Sequence, residues 1–216
     1  LLQTLLDPRS APYGNSCQWF WNGTNQTPKS PVEVTKLISQ ACDSIYTQSP
    51  RLRNELIARK SISSAAAAAR RCLMEKMLMF ADQEKLDIEG FPPERSMYES
   101  VLHASGLHAY DQSKGIWRFQ APPSDNPVNL RPCWDLLEEE IFTADVTKME
   151  VQNIFNRLAE APYGLPEGVH PILFTAFYLF NQDDLFLYRE ESFIPDPQPA
   201  HFELLQKRPD LFTVSG

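Results

Sequence analysis

Apolar residues along the chain recur mostly at the three-and-four spacing that lays one stripe along a helix. Val34, Leu37, Ile38, Ala41 and Ile45 form such a stripe over 32–46. Ser30-Pro31-Val32-Glu33 before it reads as a helix start, with Ser30 as cap, Pro31 in the first turn and Glu33 bonding back to the cap. A short helical stretch at 51–57 and a turn at 60–63 lead to Ile62, Ala66, Ala69, Leu73, Met77 and Phe80. These predict one core face on a helix from Ala65 to about Ala81, where small alanines let a second helix approach closely. Met97, Val101 and Leu102 predict a helix from Glu94 to Ala104, stopped at Gly106. Ile116 to Phe119 reads as a short strand between Gly115 and Pro122-Pro123.

A second block follows the Pro- and Asn-rich stretch 122–132. Trp134, Leu137 and Ile141 share one side of a helix over 133–142, with Glu138 to Glu140 on its solvated side. Thr147-Lys148-Met149-Glu150 has the form of a capping box ahead of a helix through Val151, Ile154, Phe155 and Leu158. After a turn at 161–168, residues 169–180 are apolar on nearly every side, the mark of a buried helix. Strand candidates at 185–188 and 192–194, a helix over 200–206 and a strand-like 211–214 complete the pattern. Helix, turn, helix and β-hairpin in that order is the winged-helix plan. The predicted fold class is α+β, mainly α: a helical N-terminal part plus a winged-helix-like C-terminal part. The expected divisions are an irregular aromatic-containing lead-in at 1–29, a helical domain with a short strand at 30–121, and a winged-helix-like domain at 130–216.

The lead-in is rich in Pro, Gly, Asn, Ser and Thr, and holds Trp19-Phe20-Trp21. Those rings need a cover, which makes Trp19, Phe20 and Trp21 candidates for a partner contact. The chain begins at Leu1 and ends at Ser215-Gly216, and a segment excised from a larger protein is the expectation.

The chain has 216 residues, enough for a real core without metal or disulfide, and a formal charge of -8. With a pI of about 5.0, a general nucleic-acid coat or a basic membrane-surface protein is excluded. No stretch approaches the ~20 apolar residues of a membrane span, so no membrane partner is expected. Cys17, Cys42, Cys72 and Cys133 are far apart and form no Cys-x-x-Cys pair. Cys42 and Cys72 fall on apolar helix faces, where free cysteine acts as a small hydrophobe. Asn22-Gly23-Thr24 and Asn25-Gln26-Thr27 match glycosylation sequons, which matter only in a secreted chain. Lacking a secretory signal, the chain is expected in a reducing, cytoplasmic compartment.

Catalytic chemistry finds little purchase. Phosphate-binding glycine loops and a Gly-x-Ser-x-Gly elbow are both absent from the sequence, so no cofactor and no catalytic residue is assigned. His103 and His108 would lie roughly 140° apart on a helix, which disfavours a metal pair. A hydrolase would need a cleft gathering one of them with carboxylates. Glu138-Glu139-Glu140 and Asp183-Asp184 read as solvated acidic surface. The sharpest charge feature is basic: Arg51, Arg53, Arg59, Lys60, Arg70, Arg71 and Lys76 stand against only Glu55 and Glu75. Such segregation suits nucleic-acid phosphate or an acidic partner; the plainer alternative is solvation, or pairing with the acidic 135–160 stretch. Residues 172–180 lack the Arg, Lys, Asn and Gln that groove readout needs, so the second helix of the winged-helix plan is not expected to read DNA.

Two further stretches carry a resemblance: Pro50 to Ile57 with Ser63 to Arg71, and Ala161-Pro162-Tyr163-Gly164-Leu165-Pro166-Glu167-Gly168-Val169 with Leu187-Tyr188 and Phe193-Ile194-Pro195. Together with Ile88 to Glu94 and Met97-Tyr98-Glu99, they resemble an internal region of very large bacterial P-loop ATPases associated with anti-phage defence islands. The similarity runs from about residue 30 to the end. It implies a winged-helix-like segment downstream of an ATPase core, acting in intramolecular or partner contacts. The phosphate-binding motif is missing here, so no ATPase residue carries over. The expected role is a non-catalytic protein-interaction or structural module of a larger, ATP-hydrolysing intracellular protein, with a nucleic-acid-binding module using the Arg51 to Lys76 face as the alternative.

Overall fold

A computed structural model describes residues 18–59, 62–143 and 148–216. The chain is α+β and mainly helical, with small antiparallel sheets. It divides into one unit ending at Thr47 and another spanning Gln48–Gly216.

In the first unit, strands β1 (Trp19–Trp21) and β2 (Thr24–Gln26) pair antiparallel, with Trp19 opposite Gln26 and Trp21 opposite Thr24. Residues expected to be irregular are therefore a hairpin. Asn22 and Gly23 both take left-handed φ, 48° and 74°, the backbone a tight two-residue hairpin turn requires. Helix α1 (Pro31–Ile45) starts as expected, Ser30 Oγ accepting from Glu33 N at 3.3 Å. Glu33 reaches back one residue further than a capping box, accepting from Lys29 N at 2.6 Å. Its apolar stripe is not a core face: Val34 is buried, but Ile38, Ile45 and Cys42 are exposed. Cys42 is thus no packed hydrophobe.

The second unit is organised around helix α3 (Ser64–Met79), which packs against α4 (Pro93–Met97), α7 (His170–Phe180) and α8 (Pro199–Leu205). Ser63 caps α3 by accepting from Ala66 N at 3.2 Å. Ala66, Ala69, Leu73 and Met77 form the predicted buried face, joined by Met74. Before α3 lies one short helix, α2 (Glu55–Ala58), capped by Asn54. After it, Lys85, Leu86 and Asp87 all adopt left-handed φ, near 55°. Such backbone costs ~1–2 kcal/mol per residue; fully buried Leu86 and the Lys76 Nζ bond to Asp87 O, 3.1 Å, hold it. Helix α4 continues as a π-helical turn over Tyr98–His103, burying Met97, Val101 and Leu102 before Gly106.

Strand β4 (Ile116–Phe119) has a partner the pattern did not reveal, β3 (His108–Asp111), with His108 opposite Phe119. Residues 122–132, where the sequence suggests a division, lie within this unit; buried residues on both sides belong to one core. Helix α5 (Arg131–Glu138) ends in a second π-helical turn, Glu139–Thr143. Glu138 and Glu140 are not simply solvated: Glu138 accepts from Trp134 Nε1 at 2.7 Å, and Glu140 pairs with Arg157 at 3.0 Å.

The predicted capping box at 147–150 begins at Thr147, which lies outside the described residues; Met149–Glu150 is strand β5, and Glu150 takes the N-cap position of α6 (Val151–Ala159) without a side-chain cap bond. Its pairing with Val214 and Thr213 overrides the local signal. Strands β6 (Phe186–Arg189), β7 (Ser192–Phe193) and β8 (Phe212–Ser215) complete an antiparallel sheet ordered β5-β8-β6-β7. Every residue of α7 from His170 to Tyr178 is buried, as its mostly apolar sequence leads one to expect, with the polar Thr175 Oγ1 donating to Pro171 O at 2.7 Å. No helix among the described residues is long and apolar enough to cross a membrane.

Candidate functional site

Among the described residues, the basic side chains of 51–76 do not form one free charged face. Arg70 turns inward from α3: its Nε donates to Gln206 Oε1 at 3.1 Å and its Nη1 to Gly168 O at 3.2 Å. It ties α3 to the turn before α7 and to the end of α8. Burial pushes its pKa below the usual guanidinium value, although an arginine stays charged throughout the working pH range. Arg71 pairs with Glu203 at 3.4 Å on the surface. Lys76 is held by Asp87 O and lies 4.4 Å from the Phe80 ring centre. Arg59 pairs with Glu55 at 2.8 Å, an exposed contact worth little. Arg51 and Arg53 are exposed, and Lys60 falls outside the described residues.

Among the described residues, the acidic 135–160 stretch pairs Asp135 with Arg131 at 2.6 Å and Glu140 with Arg157 at 3.0 Å. On α3, Arg70 and Arg71 are thus engaged by residues far along the chain.

Arg70 also lines a cleft of about 300 Å³ between α3, α6 and the start of α7. Gln152 and Asn156 of α6 contribute amides, bonded to each other at 2.9 Å. Phe155 forms an apolar wall with His170, their ring centres 5.3 Å apart.

A different surface is aromatic. On β6 the residues alternate, Leu187 pointing to the core and Phe186 and Tyr188 to the opposite face of the sheet. Phe193 of β7 lies opposite Tyr188, their ring centres 5.6 Å apart, and 5.9 Å from Phe186. Phe186 is 45% and Phe193 49% exposed. Lys148 Nζ sits 4.0 Å from the Tyr188 ring centre and 3.1 Å from Glu191, holding the strand pair from beside it. This patch was missed by sequence reasoning; the Phe-Leu-Tyr alternation was its signal. Trp19 and Trp21 are half-buried in the β1–β2 hairpin, while Phe20 is 61% exposed.

The four histidines are each engaged, and His103 and His108 both meet the Tyr98 ring, with centres 6.2 and 5.7 Å away. His108 is buried between the Tyr98 hydroxyl at 3.1 Å and Ala81 O at 2.9 Å, and burial holds its pKa below the ordinary value. His103 meets Glu99 at 3.1 Å on the surface. His170 lies 2.8 Å from Leu165 O, and His201 accepts from Gln198 N at the start of α8. No group of three or more potential metal ligands occurs among the described residues. Burial raises the Cys133 thiol to about 12, and Cys72 is raised by burial and by Glu94 beside it. Neither resembles an activated nucleophile, which needs a depressed pKa.

No family model, curated protein or solved structure matches the chain.

Proposed function

We propose that this chain is a non-catalytic protein-interaction module of a larger, cytoplasmic, ATP-hydrolysing protein of the bacterial defence kind, and that its C-terminal part is a winged-helix-like domain. The order α6, turn, α7, β6 and β7, with β8 between β5 and β6, supports that reading of the fold. The observation that carries the function is the contrast between two surfaces. Helix α7, in the place of a recognition helix, is buried from His170 to Tyr178. The outward face of the β6–β7 hairpin, by contrast, presents Phe186, Tyr188 and Phe193. Exposed aromatic side chains are the groups enriched at protein interfaces. The parent's ATPase character rests on the sequence resemblance alone.

The nucleic-acid reading keeps one specific support, the exposed arginines Arg51, Arg53 and Arg59. Charge reversal at Arg70 cannot test it, because that substitution would also break the bonds to Gly168 and Gln206. Alanine at Arg51, Arg53 and Arg59 together is the cleaner probe. Fluorescence anisotropy with labelled duplex and single-stranded DNA at low salt is expected to show no binding by the unmutated chain. Binding that weakens steeply with salt and disappears in the triple variant would establish the nucleic-acid reading instead.

A further inference from the structure

We infer that the cleft beside Arg70 is a binding site for a small oxyanion, a phosphate or carboxylate group. A guanidinium withdrawn from water is costly unless a counter-charge faces it. Both partners of Arg70 are neutral acceptors, Gln206 Oε1 and Gly168 O, and among the described residues no carboxylate pairs with it. The remaining N–H groups of the planar fork have the geometry that grips two oxygens of one anion.

The surroundings agree. Arg59 lines the same cleft; its 2.8 Å pair with Glu55 is exposed and weak, so its guanidinium can turn to an anion there. Gly168, His170 and Pro171, at the opening of α7, form another part of the wall. That helix has 11 residues, no side-chain cap and no acidic residue in its first turn. Pro171 has no N–H and Leu173 N is bonded to Val169 O at 2.9 Å, so the contribution of this end is the helix dipole, which favours negative charge. Asn156 spends its Oδ1 on Gln152, which leaves the Nδ2 donor for a ligand. Glu167 is the one carboxylate among the described lining residues; its side chain is exposed and makes no bond to Arg70. At about 300 Å³, the cleft is at the small end of ligand sites, which suits an inorganic anion or one compact organic anion.

The test is isothermal titration of the intact chain with inorganic phosphate and, in a separate arm, with citrate. Saturable binding of either is expected, and the arm that saturates names the chemistry as phosphate or carboxylate. Arg59→Gln and Asn156→Leu are each expected to weaken that binding about tenfold, the loss of one charge-assisted or well-placed hydrogen bond. Arg131→Gln, outside the cleft, should leave it unchanged. Arg70→Lys keeps the charge without the fork and should weaken binding further. If that variant fails to fold, the Arg59 and Asn156 variants decide alone. Saturation of neither anion overturns the inference, as does saturation that both Arg59→Gln and Asn156→Leu leave intact.

Discussion

Trp134→Ala is expected to destabilise the fold by ~3–5 kcal/mol, the cost of truncating a large aromatic side chain in a packed core. Trp134 of α5 is fully buried. Its indole meets Phe177 and Phe180 of α7 edge-on, with ring centres 4.9 and 5.6 Å away, and donates to Glu138 Oε1 at 2.7 Å. Removing it opens a void between α5 and α7 and takes from Glu138 its indole partner. For a chain of this length the melting midpoint should fall by roughly 10 °C. Urea unfolding should show the loss as a lower midpoint at unchanged slope. A shift below about 1 kcal/mol would mean that α5 and α7 do not depend on this ring.

Gly168→Ala is expected to cost ~3 kcal/mol, at the upper end of ordinary overpacking. An added Cβ would stand 2.4 Å from Ile57 O and 3.1 Å from the Ile57 C and Cα atoms. Those are backbone atoms of α2, so no rotamer change relieves the clash. The strain would also reach Arg70, which donates to the Gly168 carbonyl. Thermal melts of the alanine variant should therefore show a marked drop. A midpoint within error of the parent would show that the Gly168 turn and α2 can separate without loss.

The helices were legible because core-facing residues repeat at helical spacing and because caps leave a mark: Ser30 before α1 is read locally, whereas Ser63, which caps α3, read only as part of a turn. Periodicity alone did not reveal burial, however, and α1 shows why. Its stripe is regular, yet Ile38 and Ile45 are exposed. Pairing between distant residues was less legible. Met149 becomes strand only because Val214 lies opposite it, and β3 begins with a histidine rather than an apolar run. The first hairpin could have been read from Asn22-Gly23, a turn signal hidden by the sequon it also forms.

The same limit governed the candidate site. Seven basic residues within 51–76 looked like one charged face, but charge order along a helix does not show what crosses it. Gly168 and Gln206, far along the chain, draw Arg70 inward, and Glu203 takes Arg71. The aromatic patch of β6 and β7 shows the converse: each of its residues was placed in a strand, but the face they share became visible only with the register that sets Phe193 opposite Tyr188.

If this module meets protein through the outward face of β6 and β7, that face is covered in the assembly. Hydroxyl-radical footprinting, read by mass spectrometry, compares the protein in its native assembly with the isolated 216-residue chain. Phe186, Tyr188 and Phe193 are expected to be protected in the assembly, nuclease treatment to leave this protection in place, and peptides bearing Arg51, Arg53 and Arg59 to label equally in both. Equal labelling of the three aromatic residues, with nuclease-sensitive protection around the arginines, would contradict that expectation.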